Sequence, residues 1–387
     1  MAVEITYGSE YVFNSAKVSA TTAVFLDSTH FIVSYGDHGN SGKGTSIIGT
    51  ISAAGVISYG AEAIFSAGST VYCRMDLLDS THCVVMYQDG TASTGSACVG
   101  TISGTTITFG SEYSFNSVKS RQHGIAALSS TSFVVSYRDD SGDDDGYTCV
   151  GNITSGDVIT FDAETSLHAA DVYYTAVAKI DSTHFVAEYR DSPTGYGAVK
   201  IGTISGNTTT YGIECKYSTT TVGDVQIRML DSTHFIMVYR DTSGKVIIGT
   251  ISGTTATFGT EYEFSTNTVA YTYIDLLDST HFVVTYRDIT NSNYGTSIIG
   301  TIDGATISFG TEKIFNTYLI HSPAVVAMDS THFVIAFEDD GSSEYGTGIY
   351  GTVTGIPSGW ANTIMGISSP GKIDGIVVAN IASVNSV

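Results

Sequence analysis

Five carboxylates crowd the eight residues Asp139-Asp140-Ser141-Gly142-Asp143-Asp144-Asp145-Gly146. Hard oxygen ligands at alternate positions before a glycine suit Ca²⁺, with Asp139, Asp143 and Asp145 as the candidate metal ligands. The distal glutamate of an EF-hand is missing, so a solvated acidic loop is the competing reading. Six histidines stand after Asp-Ser-Thr: His30, His82, His184, His234, His281 and His332, with Ser132 in the remaining copy. Their regular separation argues against one shared site and for a side chain that closes a repeated turn. Arg138, Arg190, Arg240 and Arg287, each followed by Asp, read as repeated loop ion pairs rather than a substrate clamp. Tyr147, Tyr196, Tyr294 and Tyr345 close four loops of variable sequence rich in Asp, Asn and Ser. Aromatic faces beside such polar groups suit sugar stacking, and they equally suit packing at the start of a strand.

These residues belong to one repeated segment. LDSTHFIVSYGD at 26–37 returns in six further copies, from Leu78, Leu128, Ile180, Leu230, Leu277 and Met328. The steps between copies are 52, 50, 52, 50, 47 and 51 residues, the mark of a repeat architecture. Each period divides into four short runs rich in Val, Ile, Thr, Tyr and Phe. The first precedes Asp-Ser-Thr, and the second is the run His30–Tyr35 and its equivalents. The third ends in Gly-Thr-Ile, and the fourth reads ITFGSEYSF at 107–115. Ser-Gly-type and Asp-Ser-Thr turns connect them.

Along the second run, Phe31, Val33 and Tyr35 face one way and Ile32 and Ser34 the other. Two apolar faces require a sheet covered on both sides. Sheets packed around a ring meet that requirement, so the expected fold is an all-β, seven-bladed β-propeller of four-stranded antiparallel blades over residues 1–355. The chain opens with a fourth run, ITYGSEYVF, and its seventh copy ends on a third, YGTGIYGTVTG. The N-terminal strand should therefore complete the last blade and close the ring. Residues 356–387, with Pro357 and the lone Trp360, form a separate tail expected to fold as a short C-terminal β hairpin that packs on the ring or on another chain.

Composition narrows the function classes. With 16 basic against 38 acidic residues the net charge is −22, which disfavours a nucleic-acid partner. No apolar run reaches membrane-spanning length, so no membrane insertion is expected. Five cysteines in no metal-ligand spacing, several of them in the place of core residues, argue against a disulfide framework. MAVEITYGSEYVF has neither a basic region nor a continuous apolar run, so no signal peptide is expected and synthesis is cytoplasmic. GxSxG, HExxH, P-loop, dinucleotide and sialidase Asp-box patterns are absent, and no cofactor is expected beyond Ca²⁺ at the acidic loop.

The DSTHFVV-Y-RD, IGTISG and ITFG-E-F repeat resembles propeller repeats of uncharacterised bacterial, archaeal and phage surface proteins. The tail segment MGISSPGKIDGIVV is similar to a short β module that ends phage tail-fibre proteins, although Ser368 stands where that pattern has Ala. The resemblance implies a virion or cell-surface appendage component. The first expected function is non-enzymatic recognition of a host glycan or protein through the variable-loop face. The alternatives are a structural building block of a virion or filament, with the tail joining subunits into a homo-oligomer, and a glycan-cleaving enzyme.

Overall fold

The computed structural model describes residues 3–142 and 144–356 and, beyond them, the two-residue ladders Thr363–Ile364 with Ile367–Ser368 and Lys372–Ile373 with Ile376–Val377. The hairpin expected over the tail otherwise lies outside the described residues.

Seven antiparallel blades are arranged around an axis. The innermost strands cover residues 18–27, 70–77, 120–129, 172–179, 223–229, 269–276 and 320–329. Each pairs with a second strand that carries the repeated motif: His30–Asp37, His82–Asp89, Ser132–Asp139, His184–Asp191, His234–Arg240, His281–Asp288 and His332–Asp339. The third strands are Lys43–Ile51, Thr94–Ser103, Asp145–Thr154, Gly197–Ser205, Gly244–Ser252, Tyr294–Asp303 and Tyr345–Thr354. The fourth strand comes in two pieces; in the first blade Ile57–Tyr59 pairs with the end of the third strand and residues 63–69 with its start. In most blades the second piece runs on as the inner strand of the next blade, as in Ala63–Leu77.

The ring closes as its ends require. Glu4–Asp27 is the fourth strand of the seventh blade and then the inner strand of the first. Glu4 pairs with Thr354, Ile5 with Val353 and Val12 with Thr347, so the chain ends complete one sheet.

The apolar alternation of the second strand explains why blades stack. Phe31, Val33 and Tyr35 enter the cluster shared with the seventh blade, whereas Ile32 enters the cluster shared with the second. Seven such clusters fill seven gaps between blades among the described residues. The largest fully buried side chains are six tyrosines and six phenylalanines, all on second strands. Burying one such ring contributes roughly 1.5–3 kcal/mol, which makes this strand the spine of each blade. Each Phe ring lies across the strand-paired glycine of Gly-Thr-Ile or of the equivalent triplet in its blade, where a Cβ would overlap it; Phe235 on Gly249 is an example.

The tyrosine of the second strand ties in the fourth. Tyr35 donates to Glu62 Oε1 at 2.8 Å and Tyr286 to Glu312 at 2.7 Å, and Tyr189 and Tyr239 donate to Glu214 and Glu261. The histidines do close turns. His30 Nδ1 lies 2.9 Å from Asp27, and the other five repeat the contact at 2.8–3.1 Å. Where serine replaces histidine, Ser132 Oγ meets Ser129 Oγ at 2.8 Å. The aspartate also accepts from the threonine backbone, as Asp231 does from Thr233 N at 2.6 Å. Partial burial pulls the Asp231 carboxyl up, but its bonds to Thr233 and His234 outweigh that and bring it down to about 2.

Candidate functional site at the axial mouth

The loops between second and third strands and the crossings from one blade to the next share one face, as Gly90 N bonded to Ser69 O (2.7 Å) shows. The Asp-Ser-Thr turns lie at the other end. On the loop-rich face every inner strand breaks its pairing where it meets the axis: registers shift between Ser19 and Thr22, Val71 and Arg74, Tyr173 and Ala176, Gly223 and Gln226, Ala270 and Tyr273, and His321 and Ala324, and opposite Ser136–Arg138 in the third blade. Each break is a β-bulge, and six centre on a non-glycine residue with positive φ: Ala20, Tyr72, Tyr174, Asp224, Tyr271 and Ser322, at +45° to +54°. Such a backbone state costs about 1 kcal/mol or more per residue and persists only where its surroundings impose it.

The bulges assemble a rim of arginine and tyrosine. The rings of Tyr173 and Tyr174 follow one another at one bulge; Arg138 Cζ lies 4.2 Å and Arg190 Cζ 4.5 Å from the Tyr173 ring centre. Arg190 also donates to Val222 O at 3.1 Å. Arg287 lies 4.7 Å from the Tyr271 ring centre and 3.4 Å from His321 Nδ1. Asp224 accepts from Arg240 Nε at 2.6 Å and from Tyr271 N at 2.9 Å, which links two adjacent bulges. Tyr72, against His123, is 37% exposed. Of the expected loop ion pairs only that of Arg138 with Asp140 and Asp144 forms among the described residues; Arg240 pairs instead with Asp224 on an inner strand, and Arg190 and Arg287 sit on aromatic rings.

Below the rim lies an axial cavity of about 500 Å³, walled by all seven inner strands. Arg74, Lys179 and Arg228 line it, with Asp76, Asp275, Gln226 and Tyr273. Asp275 accepts from Arg228 Nε at 3.1 Å and from Ala327 N at 2.8 Å; Asp76 accepts from Ala127 N and Leu77 N, both at 2.8 Å. Burial pushes the Asp76 carboxyl up against the pull of those bonds and of Arg228 and Lys179. All seven arginines of this acidic chain therefore lie in the channel wall or at the rim strands.

The four loop tyrosines are not brought together. Tyr147, Tyr196, Tyr294 and Tyr345 are half-buried at the starts of third strands in four different blades. Tyr147 stacks on Tyr137 at 6.0 Å, and Tyr196 bonds Glu214 at 3.2 Å beneath Lys216. In the acidic loop Asp139 accepts from Ser141 N at 2.8 Å, Asp145 opens a third strand and Asp143 lies outside the described residues. Asp144 and Asp140 are taken up by Arg138 at 2.6 and 3.3 Å, and Asp140 also by Arg121 (2.9 Å) and Lys119. Among the described residues no group of three metal-ligating side chains forms. The rim was not singled out from sequence. Its one signal is positional: the strained residue always stands seven before the turn aspartate.

No protein-family model matches the chain, and no curated protein matches it in sequence. Solved structures do share its fold. The WD40 domain of coronin from Toxoplasma gondii aligns with a TM-score of 0.60 at 7% identity, over 91% of this chain and 86% of that one. A protein of unknown function from Dyadobacter fermentans aligns at 0.54 and 9% identity, over 90% and 99%. A prolyl endopeptidase aligns at 0.50 and 11% identity over 86% of this chain, which spans about half (48%) of that protein. WD40 domains are β-propellers, and this chain has that fold.

Proposed function

We propose that this chain is a non-enzymatic recognition propeller that takes a host glycan or surface protein on its loop-rich face, at the rim of the channel. The observation that carries this reading is the ring of strained bulges, which holds Tyr174 beside Arg190, Tyr271 beside Arg287 and Tyr72 against His123 on a rigid scaffold. Backbone strain kept at the same end of six blades marks that end for use, and aromatic–arginine surfaces are typical of binding hot spots. The repeat's resemblance to surface and phage proteins supports a virion or appendage as the setting.

The test is binding of the purified chain to arrayed host glycans and surface proteins, repeated with Tyr72→Ala. Loss of that exposed ring should weaken binding by about 1 kcal/mol or more, leave the melting temperature unchanged and be accompanied by no release of reducing sugar. A silent array would turn the reading toward a structural building block. Binding that Tyr72→Ala leaves intact would move the ligand off this rim.

A further inference from the structure

The axial channel gathers cations. Three cations, Arg74, Lys179 and Arg228, line one cavity in a chain of net charge −22. The two carboxylates beside them are already engaged: Asp275 holds Arg228 Nε and Ala327 N, and Asp76 holds two backbone N–H groups. Arg74 gives one N–H to Cys73 O at 2.9 Å and lies 5.9 Å from the Tyr273 ring centre, with further guanidinium donors to give. Lys179 is exposed to solvent, and the Arg228 side chain is 38% exposed, so the cavity is reached from outside. The Gln226 and Tyr273 side chains also line the cavity. Between the strands of Arg74 and Arg228, Ala126, Ala127, Ala176 and Ala178 keep the wall short. A concave space with small apolar walls and a few convergent polar groups is the general form of a small-ligand site.

From this arrangement we infer that the channel binds a small oxyanion, a carboxylate or a phosphate, between Arg74, Lys179 and Arg228. Guanidinium and ammonium donors make their strongest hydrogen bonds to such groups, and the partly enclosed cavity raises their strength above that in water. The volume of about 500 Å³ admits a sugar acid or a phosphate with its hydration. The inference is independent of what the rim above takes.

The experiment is thermal melting and calorimetric titration of the full chain with sodium phosphate, sodium glucuronate and glucose, each against NaCl at matched ionic strength. The salt control matters because added ions screen the self-repulsion of so acidic a protein. Phosphate, glucuronate or both should raise the melting temperature saturably beyond NaCl, and glucose should not. A response to glucuronate alone identifies a sugar acid, and one to phosphate alone a phosphoryl group. Arg74→Gln and Lys179→Ala should each weaken binding roughly tenfold, the loss of one charge-assisted hydrogen bond. Lys179→Ala removes an exposed side chain and decides the matter if Arg74→Gln fails to fold. No response beyond matched NaCl, or unchanged binding in Lys179→Ala, overturns the inference; either result leaves glycan recognition at the rim to stand or fall on its own array.

Discussion

Glu338 shows how one residue reveals what the rim requires. It occupies the place held by arginine in four other blades, is 5% exposed and lies 3.8 Å from Lys17. Burial pushes its carboxyl up to about 7; Lys17 opposes this, and Glu344 and Asp340 add to it. A carboxyl whose folded pKa is raised contributes stability below its unfolded value, near 4.3, and loses it as the pH rises through about 7. Glu338→Gln should therefore be as stable as the parent at pH 4 and more stable at pH 8, by on the order of 2 kcal/mol, and so melt higher there. Equal melting temperatures at pH 8 would show that the carboxylate ionises there without cost. The histidine turns were readable at this scale, because Asp, Thr and His recur at fixed spacing and the turn needs only those neighbours. The rim was not readable, because Ala20, Tyr72, Asp224 and Ser322 share a backbone state and no side-chain chemistry.

At the scale of the strand, the inner edge is where regularity gives way. Second strands repeat closely because both faces are buried and each side chain has a fixed partner, as Phe235 has in Gly249. Inner strands are free to differ: their equivalent positions hold Thr22, Arg74, Gly124, Ala176, Gln226, Tyr273 and Ala324, which is how the channel acquires its chemistry. Aligning repeats finds what copies share, so this variation carried no signal. The four loop tyrosines were conspicuous for the opposite reason: they recur, and the structure places them at strand starts, with Tyr147 and Tyr196 in contact with their own blades. The bulge itself is testable at Ala20, whose φ is +54°. Ala20→Gly should stabilise the chain by about 0.5–1 kcal/mol, since glycine takes this conformation without the Cβ penalty. Denaturant unfolding with a lowered midpoint would show that the bulge is unstrained and that glycine only adds unfolded-state entropy.

For the whole molecule, the ring was legible because its ends are incomplete in complementary ways: a lone fourth strand at the start and a missing fourth strand at the end. Covering both edges leaves no open sheet between first and last blades, which a chain of exposed strands needs to stay unaggregated. The axis gathers the arginines while acidic residues prevail elsewhere in the sequence, so rim and channel depend on the circle being held shut. Native-state hydrogen exchange tests that closure without altering a residue. Those amides of residues 4–12 that bond across to residues 347–354 should exchange as slowly as the bonded amides of the fourth strands in the other blades. Rapid exchange of those bonded amides, in the manner of a frayed terminus, would contradict the closed ring.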